Sequence, residues 1–144
     1  MDQRQVFDVL VIGSGAAGLA VALNVADHAK VAILSKDALD SGSTRWAQGG
    51  IAAVLDSKDS VQAHVNDTLN AGAGLCNYNA VKHTVENSED AIEWLIEQQV
   101  QFSKDSNDEY HLTKEGGHSH RRIIHAADAT GVAVSQALIS QAIN

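Results

Sequence analysis

Apolar and polar positions follow two different periods along this chain, and the switches between them lay out the elements. Phe7 to Ile12 is an almost continuous apolar, β-type run, which predicts a strand. From Ala16 to about Asp27 the apolar residues recur at helical spacing, with Leu19, Leu23 and Val25 on the buried side. A second β-branched run, Val31 to Leu34, falls where a strand–helix–strand unit closes. Asp59 or Ser60 is placed to cap a helix reaching about Asn70, with Gly72 as its stop. Asn77 or Asn79 opens the longest predicted helix. Val81, Val85, Ala91, Ile92, Leu95 and Ile96 form its apolar stripe, joined by Trp94, beside Glu86, Glu89, Asp90 and Glu93. Gln98-Gln99 ends it. Val100-Gln101-Phe102 predicts a short strand, and Ile-Ile-His-Ala-Ala another, with His125 satisfied in the core. Asp128 or Thr130 caps a last helix running to Asn144.

This order predicts the α/β class, a parallel sheet with flanking helices of Rossmann type. No strand pattern follows the last helix. The expectation is therefore an incomplete sheet, the N-terminal portion of a longer domain.

Between the first strand and the first helix stands Gly13-Ser14-Gly15-Ala16-Ala17-Gly18, a G-x-G-x-x-G motif. Gly13 lets the chain turn sharply off the strand. Gly15, lacking Cβ, lets backbone approach a pyrophosphate, and Gly18 lets the helix pack tightly on the strand. The N–H groups and positive dipole end of that helix then face the phosphates. An NAD site usually places an acid at the end of the second strand. Here Ser35 and Lys36 stand there, with Asp37 one step beyond. Lys36 suits either a 2′-phosphate or the adenosine end of FAD.

Composition narrows the partners. The net charge is −8, and no lysine–arginine cluster interrupts it beyond Arg121-Arg122, which argues against nucleic acid. The single cysteine, Cys76, excludes an internal disulfide and fits a reducing compartment. No apolar run approaches a membrane span, and no secretory leader pattern opens the chain. A cytoplasmic location is the expectation. The chain contains no proline, for which the pattern gives no physical reason.

Two further stretches carry chemistry. Asp40 to Val54 is dense in glycine, small residues and hydroxyls, the composition of a loop laid along a ligand with backbone amides doing the bonding. Tyr110 to Gly131 gathers histidines, two arginines and Glu115 around Gly116-Gly117. Three readings compete for it. His118, His120 and His125 are candidate metal ligands, though no carboxylate or cysteine completes the set. The stretch is also readable as a polar surface hairpin, or as a wall that recognises an anionic substrate.

Together, G-S-G-A-A-G, S-T-x-x-A-Q-G-G-I-A-A and H-L-T-K-E-G-G-H-S-H-R-R-I-x-H-A-A-D-A-T-G resemble the L-aspartate oxidases, within the fumarate reductase and succinate dehydrogenase flavoproteins. The resemblance runs from Asp8 to Asn144. It implies FAD as cofactor. Ser14, Gly15, Ala16 and Ala17, within the turn Gly13 to Gly18, would meet the pyrophosphate, and Ser35 with Lys36 the adenosine end. Ser43, Thr44, Arg45, Trp46, Ala47, Gln48, Gly49 and Gly50 would run along flavin and pyrophosphate. Respiratory relatives bond the flavin covalently through a histidine in this loop. Ser43 matches that position here, so the FAD is expected to be non-covalent.

The resemblance also implies oxidation of L-aspartate to iminoaspartate, with dioxygen or fumarate as electron acceptor, at the first step of quinolinate and NAD synthesis. Quinolinate synthase is the expected pathway partner. Glu115 resembles the acid that pairs with the substrate ammonium. The principal catalytic residues, a capping domain and a C-terminal helical domain lie outside residues 1–144 in this family. The expectation for the chain alone is no oxidase activity and weak FAD binding. Rival readings are a fumarate reductase or succinate dehydrogenase flavoprotein subunit, an NADP-dependent dehydrogenase half, and a self-contained interaction module.

Overall fold

The computed structural model describes residues 4–143. β1 (Val9–Ile12) and β2 (Val31–Leu34) pair in parallel, with Val9 opposite Val31 and Ile12 opposite Leu34. α1 (Ala16–Ala26) makes the crossover between them. The remaining strands form a separate antiparallel sheet. β3 (Ile51–Ala52), β4 (Leu112–Thr113) and β5 (Ile123–Ile124) lie in the order β3-β5-β4. The expected parallel sheet is thus two strands wide, and a small antiparallel sheet stands beside it.

Three helices lie between β3 and β4: α2 (Val61–Ala71), α3 (Tyr78–Glu86) and α4 (Ser88–Glu97). Local hydrogen bonds set their ends. The Ser60 hydroxyl accepts from the Ala63 amide and Asn77 Oδ1 from the Ala80 amide, each capping its helix. Gly72 closes α2. The long helix expected from Asn77 to Gln98 is two helices. Asn87 ends α3 and begins α4, and its side-chain amide donates to the His83 carbonyl at 2.7 Å. The Ser88 hydroxyl takes the Val85 carbonyl at 2.8 Å. Side chains that satisfy helix carbonyls compete with the next backbone turn and interrupt it. The apolar stripe continues across the break, so periodicity alone runs through it.

The longest helix is α5 (Thr130–Ile143). It packs on α1, and Leu19, Ala53, Ile92, Val100, Phe102, Ile124, Val134 and Leu138 form the buried core between the layers. Trp94 lies partly buried against it. Val100 and Phe102 join this core without forming the expected strand. Gln99 takes a left-handed φ of 68°, and the Val100 amide turns back to the Leu95 carbonyl, so no ladder forms there. His125 is half-buried rather than enclosed, and its Nε2 lies 2.9 Å from His111 Nδ1.

Candidate functional site

The end of β1 and the start of α1 make a cradle. Gly13 turns with φ +111°, and Gly15 caps α1 in extended conformation with no side-chain cap of its own. A Cβ on Gly18 would stand 2.0 Å from the Gly13 carbonyl oxygen, so only glycine lets the helix seat this closely on the turn. Ser14 is buried, with its Oγ 3.0 Å from Ser35 Oγ at the end of β2. That contact ties the two strand ends together across the mouth of the cradle.

A cleft of about 570 Å3 opens there. Gly13, Ser14, Gly15, Ser35, Lys36, Ser43 and Thr44 line it, together with Asp37, Ser41 and Gly42. Of these, Lys36 is the only cation. Asp37 was weighed from the sequence as the acid one step beyond Lys36; Ser41 and Gly42 were not singled out, although the glycine and hydroxyl content of Asp40 to Val54 pointed to them. Ala16, Ala17 and Gly18 belong to the helix start behind the cleft. The Ala16 amide is already engaged, donating to Thr44 Oγ1 at 3.0 Å.

The loop from Ser43 to Gly50 opens with a 3-10 turn over Ser43–Trp46. It is braced from three sides. Thr44 holds α1, Arg45 pairs with Asp40, and the Gly131 amide of α5 donates to the Ala47 carbonyl at 2.9 Å. A Cβ on Gly131 would stand 1.9 Å from the Thr44 carbonyl oxygen and 2.7 Å from that of Ala47. The start of α5 is therefore in backbone contact with the loop. Gly50 lies against Ile123 and Ile124 of β5. Trp46, Ala47, Gln48 and Gly49 face outward, Trp46 with 74% of its surface free.

The second motif folds as a hairpin between β4 and β5. Arg121 is exposed and donates through Nε to the Leu112 carbonyl at 2.9 Å. Arg122 is 0% exposed. It grips Asp59 with a two-pronged fork, Nε to Oδ2 at 2.7 Å and Nη2 to Oδ1 at 2.8 Å, and Asp67 through Nη1 at 2.7 Å. His118 Nδ1 lies 3.3 Å from Arg122 Nη1, and His120 Nδ1 3.4 Å from Nη2. His120 Nδ1 also lies 2.9 Å from the Ser119 hydroxyl oxygen. The arginine of the expected anion-binding wall is thus enclosed between two carboxylates. Sequence spacing could not pair Arg122 with acids so far upstream.

Burial by itself would raise the carboxyls of Asp59 and Asp67. Hydrogen bonds from Arg122, with Ser60 at the first and Ser119 at the second, outweigh it and hold both below the ordinary carboxylate range. The same bonds raise Arg122, most strongly those to Asp59. His64 lies beside them, 6% exposed, with Nδ1 unpartnered and its ring edge-on to His118. Burial first, then the charges of Arg122 and His118, lower its proton affinity. His118 and His120 thus serve the arginine, while His125 pairs with His111. Among the described residues no group of three or more potential metal ligands forms. Glu115 sits exposed at the hairpin turn.

A glycine turn between a parallel strand and the N-terminus of its crossover helix, facing a hydroxyl-lined cleft, defines a dinucleotide-binding α/β protein. The chain belongs to the FAD binding domain family, whose model matches residues 8–144. It is 60% identical to the L-aspartate oxidase of Pseudomonas aeruginosa over 149 residues, covering 99% of this chain and 28% of that protein. It is 52% identical to the Vibrio cholerae L-aspartate oxidase over 148 residues, with the same coverage. Among solved structures, a quinol–fumarate reductase with menaquinol superposes with a TM-score of 0.87 at 29% identity. The Mycobacterium smegmatis Sdh1 complex in its apo form gives 0.86 at 30%. Each covers 95% of this chain, which spans 24% of theirs. The chain thus spans about a quarter of its relatives' length. The family's cofactor is FAD, and the glycine turn, hydroxyls and lysine that line this cradle fit the group. Gly13, Ser14 and Gly15 would hold the pyrophosphate, Ser35 and Lys36 the adenosine end, and Ser43 and Thr44 the wall opposite.

Proposed function

We propose that the chain is the N-terminal part of the FAD-binding domain of an L-aspartate oxidase. The reaction is the two-electron oxidation of L-aspartate to iminoaspartate, with fumarate or dioxygen taking the electrons. The carrying observation is identity of 52–60% to enzymes of that name over 98–99% of the chain. Bound FAD supplies the two-electron acceptor. The chain's own residues hold it and aim it. Ser43 offers no imidazole for a covalent link, so the cofactor is held by hydrogen bonds and charge alone.

In this reading Glu115 distinguishes aspartate from succinate, which lacks the ammonium group. A carboxylate beside that ammonium pairs with it and disfavours a second dicarboxylate pose. The capping and C-terminal helical domains of the enzyme lie outside these residues and supply the rest of the substrate site. The protein works in the cytoplasm, and iminoaspartate passes to quinolinate synthase. Among the described residues no helix is long and apolar enough to cross a membrane.

The structural neighbours favour one competing reading, a fumarate reductase or succinate dehydrogenase flavoprotein subunit. Anaerobic mixing of the FAD-loaded full-length protein with each substrate separates the two. Loss of the oxidised-flavin absorbance with L-aspartate and not with succinate is expected. Bleaching by succinate alone would move the protein to the respiratory branch.

A further inference from the structure

The least economical feature outside the cofactor cradle is the buried guanidinium of Arg122. An ion network withdrawn from water is rarely more stabilising than an apolar side chain of similar volume. Its position suggests what it secures. Asp59 precedes the N-cap of α2, and Asp67 lies within α2. Arg122 immediately precedes β5, just after the turn that carries Glu115. The arginine therefore clamps the base of that turn to the side of a helix.

A second set of bonds holds the tip. Asp67 Oδ2 accepts from both the amide and the hydroxyl of Ser119 at 2.7 Å. Lys114 Nζ donates to the Ser119 carbonyl at 3.1 Å. The Cβ direction of Gly117 points at Ala71, 3.7 Å away at the end of α2. Asp67 thus joins the two sets, with one oxygen taking both Arg122 and Ser119. Glu115 itself enters none of the ion pairs among the described residues. Its place is set by the backbone on either side of it.

We propose that Arg122, acting through Asp67 and Ser119, is a positioning residue for substrate selection. It fixes the turn on α2 so that the Glu115 carboxylate is presented at one place to the substrate ammonium. The assignment rests on the substrate reading of Glu115 given above. None of the three residues needs to touch the substrate.

The test uses the FAD-loaded full-length oxidase with Ser119→Ala, Asp67→Asn, Asp67→Glu and Glu115→Gln. Ser119→Ala leaves both carboxylates on Arg122, so it remains informative if Asp67→Asn does not fold. Hydrogen exchange at the amides of residues 115–119 is expected to quicken by about tenfold in Ser119→Ala, with α1 amides unmoved. The KM for L-aspartate is expected to rise about tenfold while that for fumarate stays within about twofold. Asp67→Glu restores part of the loss, and Ser119→Ala adds little on top of Glu115→Gln. Unchanged exchange in the turn, or equal losses with both substrates, overturns the proposal. A loosened turn together with a Glu115→Gln variant that treats both substrates alike overturns the Glu115 reading instead, and the positioning role with it.

Discussion

Arg122 donates three hydrogen bonds to the carboxylates of Asp59 and Asp67, and two histidine rings lie within 3.4 Å of it. Beside it lies a buried group that responds to protons, His64. Its folded-state affinity for a proton lies below the ordinary value of 6.5, through burial first and then the neighbouring charges. The unfolded chain therefore binds the proton more readily. Stability is fully present above pH 6.5 and is lost as pH falls below it. Asp59 and Asp67, both lowered from 3.8, add a second loss as pH falls below that value. Melting temperature measured from pH 8 to pH 3 should drop in these two stages, and His64→Gln should flatten the first. A flat profile from pH 8 to pH 5 would contradict the assignment. The glycine turn was readable because its residues are adjacent and each answers to a local constraint. Arg122 was not, because its charge is balanced by acids brought close only when α2 packs on the hairpin.

Elements show the same division. β1, α1 and β2 follow directly from their apolar periods, and the caps of α2 and α3 from single residues with short side-chain oxygens. The division at Asn87 was hidden because side-chain hydrogen bonds, rather than a change of apolar face, end α3. The bracing of the cofactor loop was hidden as well, since nothing near Ser43 announces that α5 will press on it. Gly131→Ala tests that bracing. The new methyl group would overlap the Thr44 carbonyl, so the loop or the helix must give way. The expected results are a loss of about 1–3 kcal/mol in stability and an FAD affinity at least about tenfold weaker. Melting and flavin-fluorescence titration of the full-length protein read the two effects separately. An unaltered affinity would mean that α5 supports the fold without setting the loop.

Across the whole molecule, the apolar residues of β1 and β2 are unevenly covered. Val11 and Ile33 face the helices, whereas Ile12 is 79% exposed and Leu10 and Leu34 more than half. Parallel sheets are ordinarily covered on both faces. In the oxidase reading, further parts of the FAD-binding domain supply that cover. The 144-residue chain on its own should bind an apolar-surface dye. Ile12→Thr combined with Leu34→Thr should reduce the signal at least about twofold with little change in melting temperature. Equal dye signals would place the exposed apolar surface elsewhere.

The backbone contact between Gly131 and the loop at Thr44 and Ala47 also has a meaning in time. A chain leaves the ribosome from its N-terminus at about 5–20 residues per second. The glycine turn and the loop emerge early, but the brace at the start of α5 and the β5 backbone beneath Gly50 emerge several seconds later. During that interval the two walls of the cradle exist as sequence without their common support. Tight cofactor capture on the nascent chain therefore begins only after α5 has cleared the exit tunnel.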